Sequence, residues 1–255
     1  MSSFEKMSSF DSAHLVAFTA RNPLVPMTAT LAYLAMLAMP IVRPWNVRGC
    51  MVAWNIALAA FSIYGASITV PDVLYNNKYG ALAVSLEQSV CYTDGYWNGT
   101  VGVWIFLFVY SKLVELVDTL WLVLTKREAG FLHVYHHISV LWYCWYSYAI
   151  RSPTGLWFAS MNFTVHGVMY TYYALALLPQ TRAIRRVGSH ITRLQILQMV
   201  GGMIANYKAL SCRTVPRENI ALATFMYFSY FCLFVRYYVQ RNARMKTHLK
   251  TSHVA

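Results

Sequence analysis

Three histidines fall within five residues at His133-Val-Tyr-His136-His137, inside an otherwise apolar stretch. Spacings of three and four put the rings on one face of a helix. Two kinds of chemistry use such a cluster. Neutral imidazoles three and four apart can share a metal ion. An imidazole can also move protons or accept an acyl group. Further polar side chains recur at helical spacing elsewhere. Lys112, Glu115, Asp118 and Thr119 form one set, and Asn162, His166, Tyr170 and Tyr173 another. Thr192, Gln195 and Gln198 form a third. Each set falls on one face of its helix.

The metal reading needs more ligands than the sequence supplies. Membrane desaturases and hydroxylases hold di-iron with several histidine boxes. The chain has 8 histidines. His14, His190, His248 and His253 lie outside the polar sets, His166 stands alone, and no second box follows. No metal is therefore expected. A di-iron oxygenase stays as the alternative, and a seven-helix receptor or transporter as the more distant one.

The elements that carry these residues are membrane helices. The chain has 255 residues, of which 58% are hydrophobic and 12% charged, with mean hydropathy +0.41. Soluble domains carry about 25% charged residues. Hydropathy predicts seven continuous spans, near Leu24–Val42, Met51–Val70, Val101–Leu124, Val134–Ile150, Gly155–Leu178, Thr192–Asn206 and Asn219–Val239. Continuous rather than alternating apolar runs argue against an outer-membrane barrel. Pro44, Pro71, Pro153, Pro179 and Pro216 read as breakers between spans. No cleavable signal peptide is expected. A single domain covers 1–255, with a lumenal segment to about 23, spans over 24–239 and a cytosolic tail over 240–255.

A charge at mid-membrane costs about 2.5–3.5 kcal/mol, so the buried polar sets need a reason. They lie late in span three, early in four, mid-to-late in five and early in six. Consecutive spans run antiparallel, so all four sets fall in one half of the bilayer. Arg236, Tyr237 and Tyr238 of span seven reach the same level. This alignment predicts one shared intramembrane site.

The formal net charge is +12. The basic residues sit in loops and tail, which reads as orientation and lipid-headgroup contact rather than nucleic-acid binding. Arg43, Arg48, Lys126, Arg127, Arg182, Arg185, Arg186, Arg241, Arg244, Lys246 and Lys250 collect on one side. The smaller opposite set is Lys6, Arg21, Lys78, Arg151, Lys208, Arg213 and Arg217. The positive-inside rule then places the C-terminus in the cytosol and the N-terminus in a lumen. The basic face beside the site could hold a phosphorylated carrier, and an apolar helical interior an alkyl chain. Cys91 and Cys212 fall on the lumenal side, where disulfides form, and are expected to pair. Asn98-Gly-Thr is a glycan acceptor pattern on that side.

The four motifs together resemble the fatty-acid elongase family. Lys112-x-x-Glu115-x-x-Asp118-Thr119, His133-x-x-His136-His137, Asn162-x-x-x-His166-x-x-Met169-Tyr170-x-Tyr172-Tyr173 and Thr192-x-x-Gln195-x-x-Gln198 occur in family order. The resemblance implies an all-α protein of seven transmembrane helices, six of them forming a barrel around a closed acyl tunnel. It implies an acyltransferase of the endoplasmic reticulum, a very-long-chain 3-oxoacyl-CoA synthase. The reaction would condense acyl-CoA with malonyl-CoA, releasing CoA and carbon dioxide, with no cofactor. The reductase and dehydratase of the elongation cycle are implied partners, and a homo-oligomer is left open.

On this reading His136 carries the acyl group and His166 orients or shares it, with direct condensation without a covalent intermediate as the alternative. Asn162 and His137 stabilise developing charge, and His133 completes the box. Glu115, Asp118 and Lys112 support the rings, with Gln195 and Gln198. Tyr170, Tyr173, Arg236, Lys126 and Arg127 contact substrate. Two positions depart from the family pattern. Val109-Tyr110-Ser111 stands where an aromatic pair is usual, and Phe163 where serine is common. The tail also lacks the dilysine retrieval form.

Overall fold

Our computed structural model describes residues 9–92, 96–179 and 182–252, without the side chains of 182, 183, 185, 186 and 244–252. Several residues used in the charge comparison therefore lie outside the description. These are Lys6 and the side chains of Arg182, Arg185, Arg186, Arg244, Lys246 and Lys250.

The described residues fold into helices. They are α1 (Ala13–Arg21), α2 (Leu24–Leu37), α3 (Arg48–Tyr75), α4 (Leu86–Cys91), α5 (Gly99–Val114), α6 (Val117–Leu124), α7 (Phe131–Ala149), α8 (Gly155–Ala176), α9 (Arg182–Ala209) and α10 (Arg217–Ser252). Among the described residues, three helical stretches are long and apolar enough to cross a membrane: Arg48–Tyr75, Gly99–Leu124 and Arg217–Ala243. Leu24–Leu37 is apolar but shorter. The chain is thus an all-helical membrane protein. α7, α8 and α9 have the length, but the histidine, amide, hydroxyl and arginine groups they carry make them more polar than a simple span.

Several boundaries differ from the hydropathy reading. α2 stops at Leu37, before Pro40 and Pro44, because proline disfavours helical geometry in the residue ahead of it. Pro71 is not a breaker but lies inside α3. It sits near the end of the helix, and the chain still closes a helical bond from Asn76 N–H to the Asp72 carbonyl. α9 and α10 run well past the expected spans, since their ends are built from polar residues that hydropathy discounts. Span three is not continuous. It breaks at Glu115 and Leu116, where the Asp118 and Thr119 amides bond three residues back, to Glu115 and Leu116. Such a tight turn re-aims the side chains around it.

Packing follows a closed order. α3 lies along α8, α8 against α9, α9 against α10, α10 against α7, α7 against α5, and α5 against α3. α2 sits outside this ring against α6 and α7. The α3–α8 contact depends on glycine. A Cβ at Gly65 would come within 2.7 Å of the Phe163 ring, and one at Gly167 within 2.9 Å of Ile63. Small residues let membrane helices approach closely where no hydrophobic drive separates protein from lipid. The ring is apolar outside and partly polar inside. Ile56, Ile63, Leu197, Phe225 and Phe228 are exposed, as a lipid-facing surface requires, whereas Lys112, Glu115, Asn162 and His166 are buried.

Each end of the ring is tied. At one end the Trp45 amide bonds the Leu124 carbonyl, and Arg48 Nε bonds the Leu177 carbonyl. At the other, Cys91 and Cys212 form a disulfide with Cα atoms 5.3 Å apart. It joins α4 to the turn between α9 and α10 and closes a loop with a separation of 121 residues. Asn219 sits at the same end, accepting from Ser152 Oγ at 2.7 Å and donating to Ser147 Oγ at 2.9 Å. A bridge across so long a loop restricts the unfolded chain strongly. We expect Cys91→Ser to lose about 2–5 kcal/mol of stability. Thermal melts in detergent check this: reductant should lower the wild-type transition to the variant's and leave the variant unmoved.

Candidate functional site

The site begins with a buried ion pair. Lys112 Nζ lies 2.7 Å from Glu115 Oε1, and both residues are under 5% exposed. Three apart on α5 and its cap, they meet on one face. Ser111 Oγ donates to the same carboxylate oxygen at 2.8 Å. Lys112 Nζ also donates to Asn162 Oδ1 at 2.9 Å, and the ammonium sits 4.3 Å above the Phe108 ring. With its carbonyl oxygen engaged, Asn162 has its amide N–H groups left to donate. The second oxygen of Glu115 lies 3.8 Å from His166 Nδ1.

The turn after Glu115 divides the first motif among different partners. Asp118 does not share the direction of Lys112 and Glu115. Its Oδ1 accepts from Trp54 Nε1 and its Oδ2 from the Tyr170 hydroxyl, both at 2.6 Å. Thr119, fully buried, donates to the Tyr33 hydroxyl at 3.0 Å and meets His133 Nε2 at 2.7 Å. With its one proton committed to Tyr33, Thr119 accepts from His133 Nε2–H, which fixes that ring's tautomer.

The three box histidines have different surroundings. His133 is held by Thr119. His137 is buried between His133, at a centroid distance of 4.3 Å, and Tyr33, at 6.2 Å. His136 borders a cavity and packs 5.0 Å from the Tyr230 ring. Tyr230 is anchored in turn by Ser139 Oγ at 2.6 Å.

The cavity encloses about 1050 Å³. Asp118, His133, His136, His137, Asn162, His166, Tyr170, Tyr173, Gln195 and Gln198 all border it, so residues from α6, α7, α8 and α9 converge on one space. Gln195 reaches across to Met169 Sδ at 3.3 Å. Lys112 and Glu115 stand behind the wall and act through Asn162 and His166. Arg48, Arg127 and Arg241 stand near the tied end where Trp45 and Leu177 also line the cavity. Arg241 Nη1 donates to the Gly188 carbonyl at 2.9 Å.

Two of the expected substrate contacts, Arg236 and Lys126, fall outside the cavity lining. Arg236 is exposed and does not border the cavity. Phe234, Tyr237 and Arg241 do, and their helical spacing turns Arg236 away. Lys126 is also exposed and outside the lining. It takes a left-handed backbone at φ 55° as α6 ends, and its Nζ donates to the Val42 carbonyl. Tyr170 borders the cavity, but its hydroxyl is committed to Asp118.

Other site residues escaped the motif comparison. Tyr33 and Trp54 come from α2 and α3, which carry no polar cluster. A lone tyrosine deep in an apolar span was the available signal for Tyr33. Ser111 occupies one of the positions that depart from the family pattern. Arg48 and Arg241 entered only as loop charge. Among the described residues no group of three histidine, cysteine, aspartate or glutamate side chains could hold a metal ion.

An all-helical membrane protein with histidine, carboxylate and amide groups converging on one interior cavity defines a narrow class. Residues 18–250 match the ELO family, described as the GNS1/SUR4 family, and the chain belongs to it. It is 42% identical over 212 residues to fatty acid elongase 1 of Trypanosoma brucei brucei, covering 78% of this chain and 67% of that protein. It is 32% identical to fatty acid elongase 3 of the same organism, covering 98% and 94%. It is also 40% identical to very long chain fatty acid elongase 6 of Gallus gallus, covering 77% and 74%.

The buried pair yields a stability prediction. Lys112→Met leaves Glu115 as an uncompensated buried charge, and should cost about 3–5 kcal/mol. The double variant Lys112→Met/Glu115→Leu removes both charges and should recover most of that loss. Melts of Lys112→Met, Glu115→Leu and the double variant test it; a double variant as unstable as the sum of the two singles refutes it.

Proposed function

We propose that this protein elongates fatty acids by condensing an acyl-CoA with malonyl-CoA to give 3-oxoacyl-CoA, CoA and carbon dioxide. The single observation that carries the reading is the shared cavity. It puts His136, His166 and Asn162 in one space, with Arg48, Arg127 and Arg241 also in its lining. Membership of a family whose named relatives are fatty acid elongases supports the same reaction.

The chemistry follows from the side chains. His136 attacks the acyl thioester carbonyl through one ring nitrogen and expels the CoA thiolate, which takes the proton from the other ring nitrogen and leaves a neutral acyl-imidazole. Malonyl-CoA then enters and loses carbon dioxide, leaving a thioester enolate. Its carbon attacks the acyl-imidazole; a carbon–carbon bond forms, the carbon–nitrogen bond to His136 breaks, and the released ring takes a proton from solvent. Asn162 donates its amide N–H to the oxygen that gains charge, with Lys112 holding the other end of that amide. His166, with Glu115 beside Nδ1, keeps Nε2 towards the reacting groups. Gln195 and Gln198 offer further amides to the thioester. Arg48, Arg127 and Arg241 suit the phosphates of CoA. No metal or prosthetic group enters the scheme.

The setting proposed with this reaction is the endoplasmic reticulum membrane. Seven spans would cross it, six around the acyl space, with the arginine-lined end and C-terminus cytosolic. The reductase and dehydratase that complete a cycle of elongation would act next on the product.

Radiolabelled malonyl-CoA and a set of acyl-CoA primers test the reaction in the purified protein. Wild type should give a labelled 3-oxoacyl product, and should release CoA from acyl-CoA alone up to one equivalent. His136→Ala should release none and lose condensation by a factor of about 10²–10⁴. Labelled product absent with every primer would remove the condensation reading. A His136→Ala protein that still released CoA from acyl-CoA alone would remove only the nucleophile.

A further inference from the structure

The described cavity is short in the direction that an acyl chain would take. Beyond the histidines its lining reaches Asn162, Gln198 and Met199, and no further along α8 or α9. One turn past Asn162 on α8 stands Phe158, 6% exposed. Its ring packs 4.9 Å from Tyr227 of α10 and 6.2 Å from Tyr143 of α7. Tyr227 packs against α9 where Gly202 faces it; a Cβ there would meet the ring at 2.2 Å. Tyr143 is held near Asn219, the residue that knits the far end of the ring. The α3–α5 side is filled as well, since Phe163 packs against Phe108 at 5.1 Å and fills the space left by Gly65.

From this layer we infer that the enzyme is selective for short and medium acyl primers, with Phe158 and Tyr227 as the stop. The inference rests on the condensation reading above. The depth sets the limit. His166 and Phe158 are eight residues apart on one helix, and His136 and Tyr143 seven apart on another. At 1.5 Å per residue the layer stands about 10–12 Å from the reacting level. An extended chain advances about 1.2 Å per bond, so about eight to ten bonds reach the layer. Longer chains would need the interlocked rings to move, and overfilling a packed interior is unfavourable.

The test is a ladder of saturated acyl-CoA primers, from about four to about eighteen carbons to bracket that reach. Each is assayed with labelled malonyl-CoA on the full chain. Condensation should peak near or below about ten carbons and fall at least about tenfold by about sixteen. Phe158→Ala and Tyr227→Ala should move the optimum to longer primers, while short primers keep their rate to within a few-fold. Phe158→Leu, a milder change, should shift it by fewer carbons and guards against an unfolded alanine variant. Thermal stabilisation by each acyl-CoA alone, without malonyl-CoA, should show the same break. Equal wild-type rates with medium and long primers overturn the length limit and leave the condensation reading intact. An optimum unmoved in folded variants overturns the assignment of the stop. No product from any primer, with the break in stabilisation retained, overturns the reaction and keeps the limit.

Discussion

Burial of the Lys112–Glu115 pair constrains everything around it. Two charges removed from water are tolerated only when each is fully engaged. Glu115 draws in Ser111 and the edge of His166; Lys112 draws in Asn162 and the Phe108 face. The pair therefore fixes how α5 and α8 meet, and it sets the orientation of the one amide and one imidazole that project into the cavity from α8. A lipid-facing position would not serve, so the ring of helices must close around it.

The break between α5 and α6 extends that control. A regular helix would send Asp118 and Thr119 along the line set by Lys112 and Glu115. The tightened turn instead sends Asp118 to Trp54 and Tyr170, and Thr119 to Tyr33 and His133. One short motif thereby organises α2, α3, α7 and α8. Each partner is polar and meets another polar group, as buried donors and acceptors must where water is scarce. Tyr33 shows the reach of this arrangement, since it belongs to a helix outside the ring yet touches the hydroxyl that positions a box histidine.

Much of this was legible in the sequence because polarity in an apolar chain is conspicuous. His133, His136, His137, Asn162, His166 and Gln195 announced a common level through their place along antiparallel spans, and they border one cavity. The helical class followed from continuous apolar runs. What escaped had physical causes. Hydropathy averages over many residues, so it could not see the turn at Glu115 or the polar extensions of α9 and α10. It treated Pro71 as a stop although a helix near its end tolerates one. Charge counting could not tell Arg241, which faces inward, from Arg236, which does not; that depends on helix rotation about its own axis. The aromatic layer of Tyr143, Phe158 and Tyr227 is unremarkable in composition, and only its cross-helix packing gives it meaning.

The disulfide between Cys91 and Cys212 has a mechanical consequence. It fastens the turn between α9 and α10 at one end of the ring, where the Asn219 hydrogen bonds also lie. Because Cys91 belongs to α4, the bridge fastens that turn to the segment that follows α3, across the ring, by a covalent bond. At the opposite end the ties named above are hydrogen bonds, Arg48 Nε to the Leu177 carbonyl and Arg241 Nη1 to the Gly188 carbonyl. Those can be exchanged for contacts to a ligand, which a covalent bond cannot.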